Sequence, residues 1–299
     1  MMLKSIYFIT LLLSVQCWVE RPTKTGIISN LAKVEAKNES NIPPDGYIAY
    51  GRPVQVGEFP WMTSIDTKVN DGSNNYNQCG GSLISDKHVL TAAHCVVTAR
   101  QLQDVIITVG DYIRNSFPKD CDAYNQCTVN HRTHPARVTW HQKYNPNSLS
   151  NDIAMLKLAK HVNTGLIRPI NLPPFDVDDP RYENAPLTVA GWGRTESSGK
   201  HTSNSLLATE VNLKTRQECY KVYYNQYPEA HLCAGKPNTR TSSCKGDSGG
   251  PLMMYYRNKF YVSGLVSFSW AGETCGVSKA TYYTNVFKYM KWIDWAMKQ

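Results

Sequence analysis

The sequence predicts an all-β body, on three observations. β-branched and aromatic residues gather in short runs, such as Val105–Val109, Ala154–Leu158, Leu187–Ala190, Phe260–Val262 and Leu265–Phe268. Gly, Pro, Asn and Asp separate the runs, the punctuation expected of sandwiches and barrels. No segment repeats at a fixed period, which excludes solenoids and propellers. One helix is expected, at the C-terminus, where Phe287, Met290, Trp292 or Ile293, and Trp295 recur at helical spacing between Phe287 and Met297.

Composition bounds the function classes. Of 299 residues, 41% are hydrophobic and 19% charged, enough apolar material for sizeable cores and too much for a disordered chain. The net charge of +8 comes without a basic cluster, so it reads as a solvated surface, and no nucleic-acid partner is expected. Nine cysteines point to an oxidising compartment, and their odd number asks where the ninth belongs.

The N-terminus answers that question. Lys4 precedes an apolar run, Ile6–Val15, that is too short for a membrane span of roughly 20 residues and suits a secretory signal. Cleavage after Cys17 would put Val15 and Cys17 at the two small-residue positions and remove the ninth thiol. An uncleaved anchor helix is the alternative. Residues 18–47 are polar and lack cysteine; they carry a glycosylation sequon at Asn38 and end in the nickable turn Pro43-Pro44-Asp45-Gly46. This stretch is a tail or a propeptide.

Three short motifs carry chemistry: Leu90-Thr91-Ala92-Ala93-His94-Cys95, Asn151-Asp152-Ile153-Ala154, and Gly246-Asp247-Ser248-Gly249-Gly250-Pro251. A serine hydroxyl is a poor nucleophile until a base takes its proton. A neutral imidazole can do so, and a carboxylate on its far nitrogen fixes the tautomer. Glycines beside the serine let main-chain N–H groups converge on a developing oxyanion. Each motif alone is weak, but together they run in the order His, Asp, Ser at spacings of 58 and 96 residues.

With Gly57-Glu58-Phe59-Pro60-Trp61, Cys79-Gly80-Gly81-Ser82-Leu83-Ile84, Ala190-Gly191-Trp192-Gly193 and Tyr283-Thr284-Asn285-Val286, the chain from Ile48 to Gln299 resembles the chymotrypsin-fold serine peptidases. The resemblance implies two antiparallel six-stranded β-barrels with the site between them and a C-terminal α-helix. It divides the chain into a signal peptide (1–17), a propeptide (18–47) and a peptidase domain (48–299), with a first barrel at about 48–165, a second at 166–286 and the helix at 287–299. By resemblance Ser248 is the nucleophile, His94 the general base and Asp152 its orienting partner. The N–H groups of Gly246 and Ser248 would form the oxyanion hole, and Ser267, Phe268 and Ser269 would pair with substrate backbone. No cofactor or metal is implied.

The resemblance also implies activation by a cut between Tyr47 and Ile48. The new ammonium of Ile48, leading Ile48-Ala49-Tyr50-Gly51, would pair with Asp247. Tyr50 departs from the family's glycine, and Tyr47 stands where trypsin-activated relatives have Arg or Lys, so an activator of chymotryptic taste, or a cut elsewhere followed by trimming, is expected. Ser242 stands where trypsin-like members carry the Asp that binds cationic side chains. Thr281 replaces a pocket-wall glycine; the other wall position maps to Ser269 counting from Ser267, or to Ala271 counting back from Cys275. Small or medium uncharged side chains are therefore expected before the cleaved bond.

Pairs Cys79–Cys95, Cys219–Cys233 and Cys244–Cys275 follow from the resemblance, which leaves Cys121 and Cys127 to bridge an inserted loop, with a metal pair as the alternative. Such loop bridges, and Asn145–Leu149, are similar to arthropod proteases of the clip-domain type, although no clip domain is read here and Asn171 stands where many relatives tether the propeptide by cysteine. Asp111, Asp120 and Asp122 show no clear calcium pattern. The expected partners are a peptide or protein substrate, an activating protease and a serpin-type or other inhibitor; the enzyme is expected to be a secreted monomer without membrane attachment. A non-catalytic binding or cascade-regulating homologue is the competing reading.

Overall fold

A computed structural model of the chain describes residues 51–122, 125–162, 165–194, 202–223, 228–236, 242–269 and 280–299. The expected signal peptide and propeptide, with Asn38, Tyr47 and Ile48, lie outside the described residues, as do Ala271 and Cys275.

The described chain enters through β1 (Arg52–Pro53). Strands β2 (Met62–Lys68), β3 (Tyr76–Ser85), β4 (His88–Thr91) and β5 (Val105–Val109) follow, then a ribbon of β6 (Lys119–Cys121) and β7 (Cys127–Val129). After them come β8 (His131–Thr133), β9 (Pro135–Trp140) and β10 (Ala154–Leu158). Apart from β1 and the ribbon, these strands form one antiparallel sheet in the order β8-β5-β2-β3-β4-β10-β9. The sheet curls because residues 131–140 serve both of its ends: β8 pairs with β5, and β9 with β10. Pro135 has no N–H to give, so the ladder breaks there and the lobe is a curled half-barrel.

The second lobe contains β11 (Pro186–Gly191), β12 (Leu207–Leu213), α1 (Arg216–Tyr223), β13 (His231–Gly235), β14 (Pro251–Tyr256), β15 (Lys259–Ser269) and β16 (Thr281–Asn285). Its sheet runs β1-β12-β11-β14-β15-β16-β13, and the pairing of β12 with β13 closes six strands into a barrel. Closure removes free edges. Arg52 and Pro53, at the start of the expected first barrel, are thus hydrogen-bonded into the second sheet. The runs Phe260–Val262 and Leu265–Phe268 are one strand, because Gly264 lets the backbone pass against Tyr283 and Leu252.

Two helical features differ from expectation. α1 is a second helix; Thr215 and Glu218 cap it reciprocally, Glu218 Oε2 accepting from Thr215 N at 2.9 Å and Thr215 Oγ1 from Glu218 N at 3.2 Å. The C-terminal segment starts as a 3-10 turn, Val286–Tyr289, before α2 (Met290–Ala296). The helix follows the second lobe in sequence but packs on the first. Tyr289, Trp292 and Ile293 are buried in the core that also holds Met155 and Leu156, and Lys157 Nζ donates to Gln299 O at 2.5 Å. Trp61 Nε1 donates to Met253 Sδ at 3.2 Å, and its ring lies 5.5 Å from Phe260, joining the lobes. No described helix is long and apolar enough to cross a membrane.

Candidate active site

His94 lies in a 3-10 turn, Ala93–Cys95, just past β4, and Asp152 lies just before β10. The register of β4 on β10 sets Ala154 opposite Thr91, so both loops leave the sheet at one edge. His94 Nδ1 lies 2.7 Å from Asp152 Oδ2, and His94 N donates to Oδ1 at 2.9 Å. With Asp152 ionised, Nδ1–H is the donor, which leaves the Nε2 lone pair facing outward. Burial pushes the Asp152 carboxyl up, but His94 and the Ser267 hydroxyl outweigh it and hold the group below the usual carboxylate range.

Behind Asp152 stands a layer that the motifs do not reveal. Ser267 Oγ donates to Asp152 Oδ2 at 2.6 Å, and Thr284 Oγ1 to Asp152 O at 2.8 Å. His231 Nε2 is 3.4 Å from Ser267 Oγ. Burial lowers the His231 pKa to about 4, so this ring is neutral at pH 7. Nothing flanking His231 marks it in sequence; it reaches this place because β13 pairs with β16 and sets His231 opposite Thr284. On the far side, Tyr289 OH donates to Asn151 Oδ1 at 3.2 Å, so the C-terminal segment holds the residue before Asp152.

Ser248 occupies the turn before β14 and shares a cleft of about 760 Å³ with His94. Its carbonyl accepts from Gly80 N at 2.7 Å, fixing the turn to β3. No Ser248–His94 hydrogen bond is formed; His94 Nε2 lies 3.7 Å from Cys95 Sγ. Such bonds often tighten only with substrate in place. Gly246 has φ +102°, a conformation that side chains rarely allow. Among the described residues, neither the Gly246 N–H nor the Ser248 N–H donates inside the protein, so both are available to a ligand oxygen.

Asp247 is fully buried. Gly193 N donates to Oδ1 at 2.7 Å and Cys244 N to Oδ2 at 2.8 Å, and a Cβ at Gly193 would collide with this carboxylate. Among the described residues no cation reaches it. Burial, against those two N–H groups, pushes its pKa up from 3.8 to about 6. The sign follows. Between about pH 4 and 6 the unfolded chain releases this proton while the native chain keeps it, so Asp247 lowers stability as pH rises through that window. Two pH units correspond to about 3 kcal/mol. The stability advantage of the uncut chain over Asp247→Asn should fall by about that amount between pH 4 and pH 7, measured by urea titration. A constant difference would show an ionised, paired Asp247.

Of the expected pocket residues, Ser269 and Thr281 come together. Ser242 is buried, Ser243 Oγ donates to Thr281 Oγ1 at 3.1 Å, and Ser269 Oγ is 3.5 Å from Thr281 Oγ1. Cys79–Cys95, Cys121–Cys127 and Cys219–Cys233 are disulfides, and Cys244 is also disulfide-bonded. The 16-residue separation of Cys79 and Cys95 corresponds to about 3 kcal/mol of loop-closure stabilisation beside His94. Asp111 accepts from Ser64 Oγ at 2.5 Å, and Asp120 Oδ2 from the N–H groups of Tyr112 and Ile113 at 2.6 and 2.8 Å, so those oxygens are engaged within the fold.

Residues 48–293 match the family model described as Trypsin. The chain is 36% identical over 266 residues to "Serine protease ea" of Drosophila melanogaster, covering 82% of this chain and 66% of that protein. It is 33% identical to "Phenoloxidase-activating factor 3" of Holotrichia diomphalia, covering 86% of this chain and 74% of that one. It is 33% identical to "Venom protease" of Bombus pensylvanicus, covering 80% of this chain and 95% of that one. Together with the closed barrel and the cleft that His94 and Ser248 line, this match means that the chain belongs to the trypsin family of serine endopeptidases.

Proposed function

We propose that the protein is a secreted serine endopeptidase made as a zymogen, cleaving after small or medium uncharged residues. The observation that carries the reading is the hydrogen-bond chain from Ser267 through Asp152 to His94, ending at the cleft that Ser248 lines. In this reading Ser248 Oγ attacks the scissile carbonyl and His94 Nε2 takes its proton. Asp152 holds the imidazole in the Nδ1–H tautomer and stabilises the imidazolium. The N–H groups of Gly246 and Ser248 receive the oxyanion. His94 then protonates the leaving amine, and water, activated by the same imidazole, releases the acyl group from Ser248.

The buried Asp247, which no cation reaches among the described residues, supports the zymogen reading, since an arriving Ile48 ammonium would relieve its burial penalty. N-terminal sequencing of the active enzyme tests this; a start other than Ile48 overturns the register. A fluorophosphonate that labels Ser248 separates the enzyme from a non-catalytic homologue.

The contacts of Thr281 with Ser243 and Ser269 support a shallow pocket, and buried Ser242 supplies no counter-ion for Lys or Arg. Thr281→Gly is expected to raise kcat/KM for Phe over Ala before the cleaved bond at least about tenfold. Paired peptides differing only at that residue measure it, and an unchanged ratio overturns the role of Thr281.

A further inference from the structure

The cleft beside Ser248 carries a charge pattern that the catalytic residues do not use. Its walls include Arg194 and Lys245, and among the described residues no acidic one lines it. Among the described residues neither cation has a carboxylate partner. Arg194 N donates to Lys245 O at 2.8 Å, so their backbones are clamped side by side next to Gly246. The lining also includes the uncharged Tyr76, Asn77 and Gln78 of β3, with Gln78 Oε1 accepting from Thr202 Oγ1 at 2.9 Å.

The side of the scissile bond served by this cleft follows from its walls. It excludes Ser267–Ser269, where the acyl half of a substrate is expected to lie. It includes Cys79 and Cys95 next to His94, and His94 is the group that protonates the leaving amine. The cleft therefore receives the residues that follow the cleaved bond.

We propose that Arg194 and Lys245 form a subsite for acidic side chains on the leaving-group half of the substrate, so that the enzyme selects peptides with Asp or Glu at the first two positions after the cut. This rests on the endopeptidase reading above. Each exposed ion pair contributes a factor of about 2 to 5, so both together give about tenfold at low salt. That selectivity shrinks in 1 M salt, where screening acts within about 3 Å.

The test uses the activated full chain and quenched peptides that are identical through the cleaved Ala and continue with Glu-Asp, Gln-Asn or Lys-Arg. The expected kcat/KM ratio of Glu-Asp to Gln-Asn is about tenfold in dilute buffer and near one in 1 M NaCl. In the Arg194→Gln/Lys245→Gln double variant the ratio, taken within that variant, is expected near one. Equal cleavage of the two peptides, or a ratio that survives in the double variant, overturns the subsite while leaving the endopeptidase reading intact. If no peptide is cut and no fluorophosphonate label appears, the endopeptidase reading fails. Fluorescence anisotropy with the labelled Glu-Asp and Gln-Asn peptides then decides the subsite alone: tenfold tighter binding of the acidic peptide supports it, and equal binding overturns it.

Discussion

Ser248→Ala is expected to lower kcat for peptide hydrolysis by about 10⁶-fold. The change removes the Oγ that would form the acyl bond and leaves the main chain unaltered. Ser248 O still accepts from Gly80 N at 2.7 Å, and Gly249 N still donates to Val266 O at 2.7 Å, so the turn keeps its anchors. The Gly246 and Ser248 N–H groups also remain, and some acceleration over water should survive through them. The thermal midpoint should therefore stay unchanged while fluorophosphonate labelling disappears. Activity within tenfold of the unaltered enzyme would remove Ser248 from the role of nucleophile.

Asp152→Asn is expected to cost about 10⁴-fold in kcat near pH 7. The reason lies in how many donors the carboxylate serves. Oδ1 accepts from His94 N, and Oδ2 accepts from both His94 Nδ1–H and Ser267 Oγ–H. An amide has one accepting atom and one donating atom. With the amide nitrogen at the Oδ1 position it meets the His94 N–H, and at the Oδ2 position it meets Nδ1–H unless His94 adopts the other tautomer, with its proton on Nε2. That tautomer cannot take a proton from Ser248. The check is twofold: kcat with a small chromogenic ester, and the nitrogen-bound proton of His94 by NMR. A loss of activity with Nδ1–H retained would mean that Asp152 acts through something other than the tautomer.

How far the residues disclose the fold depends on how local each feature is. β5 and β10 follow their runs to the residue, because each is a short, largely buried apolar strand bounded by turns. α1 escapes a reading based on apolar spacing, since its face is mostly polar, yet Thr215 and Glu218 stand at the separation of a capping box and announce it. The motifs around His94, Asp152 and Ser248 are legible because each packs its chemistry into six or fewer neighbouring residues. The layer behind Asp152 is not. Ser267, Thr284 and His231 are brought there by the β13–β16 and β15–β16 registers, and register is a property of pairing rather than of any one segment. Arg194 and Lys245 are likewise 51 residues apart and are joined by a main-chain bond.

The two ends of the described chain each cross to the lobe they do not belong to: β1 joins the later barrel, and the terminal helix settles on the earlier sheet beside Asn151. Synthesis runs from the N-terminus, and lobes tend to fold as they emerge. The earlier sheet can therefore assemble on the ribosome, but the loop that carries Asp152 lacks its final brace until the last dozen residues have been made. A chain cut short before Tyr289 would lack the hydrogen bond to Asn151. The last-made segment is thus a structural part of the earlier lobe, and shortening it before Tyr289 is expected to loosen the loop at Asn151.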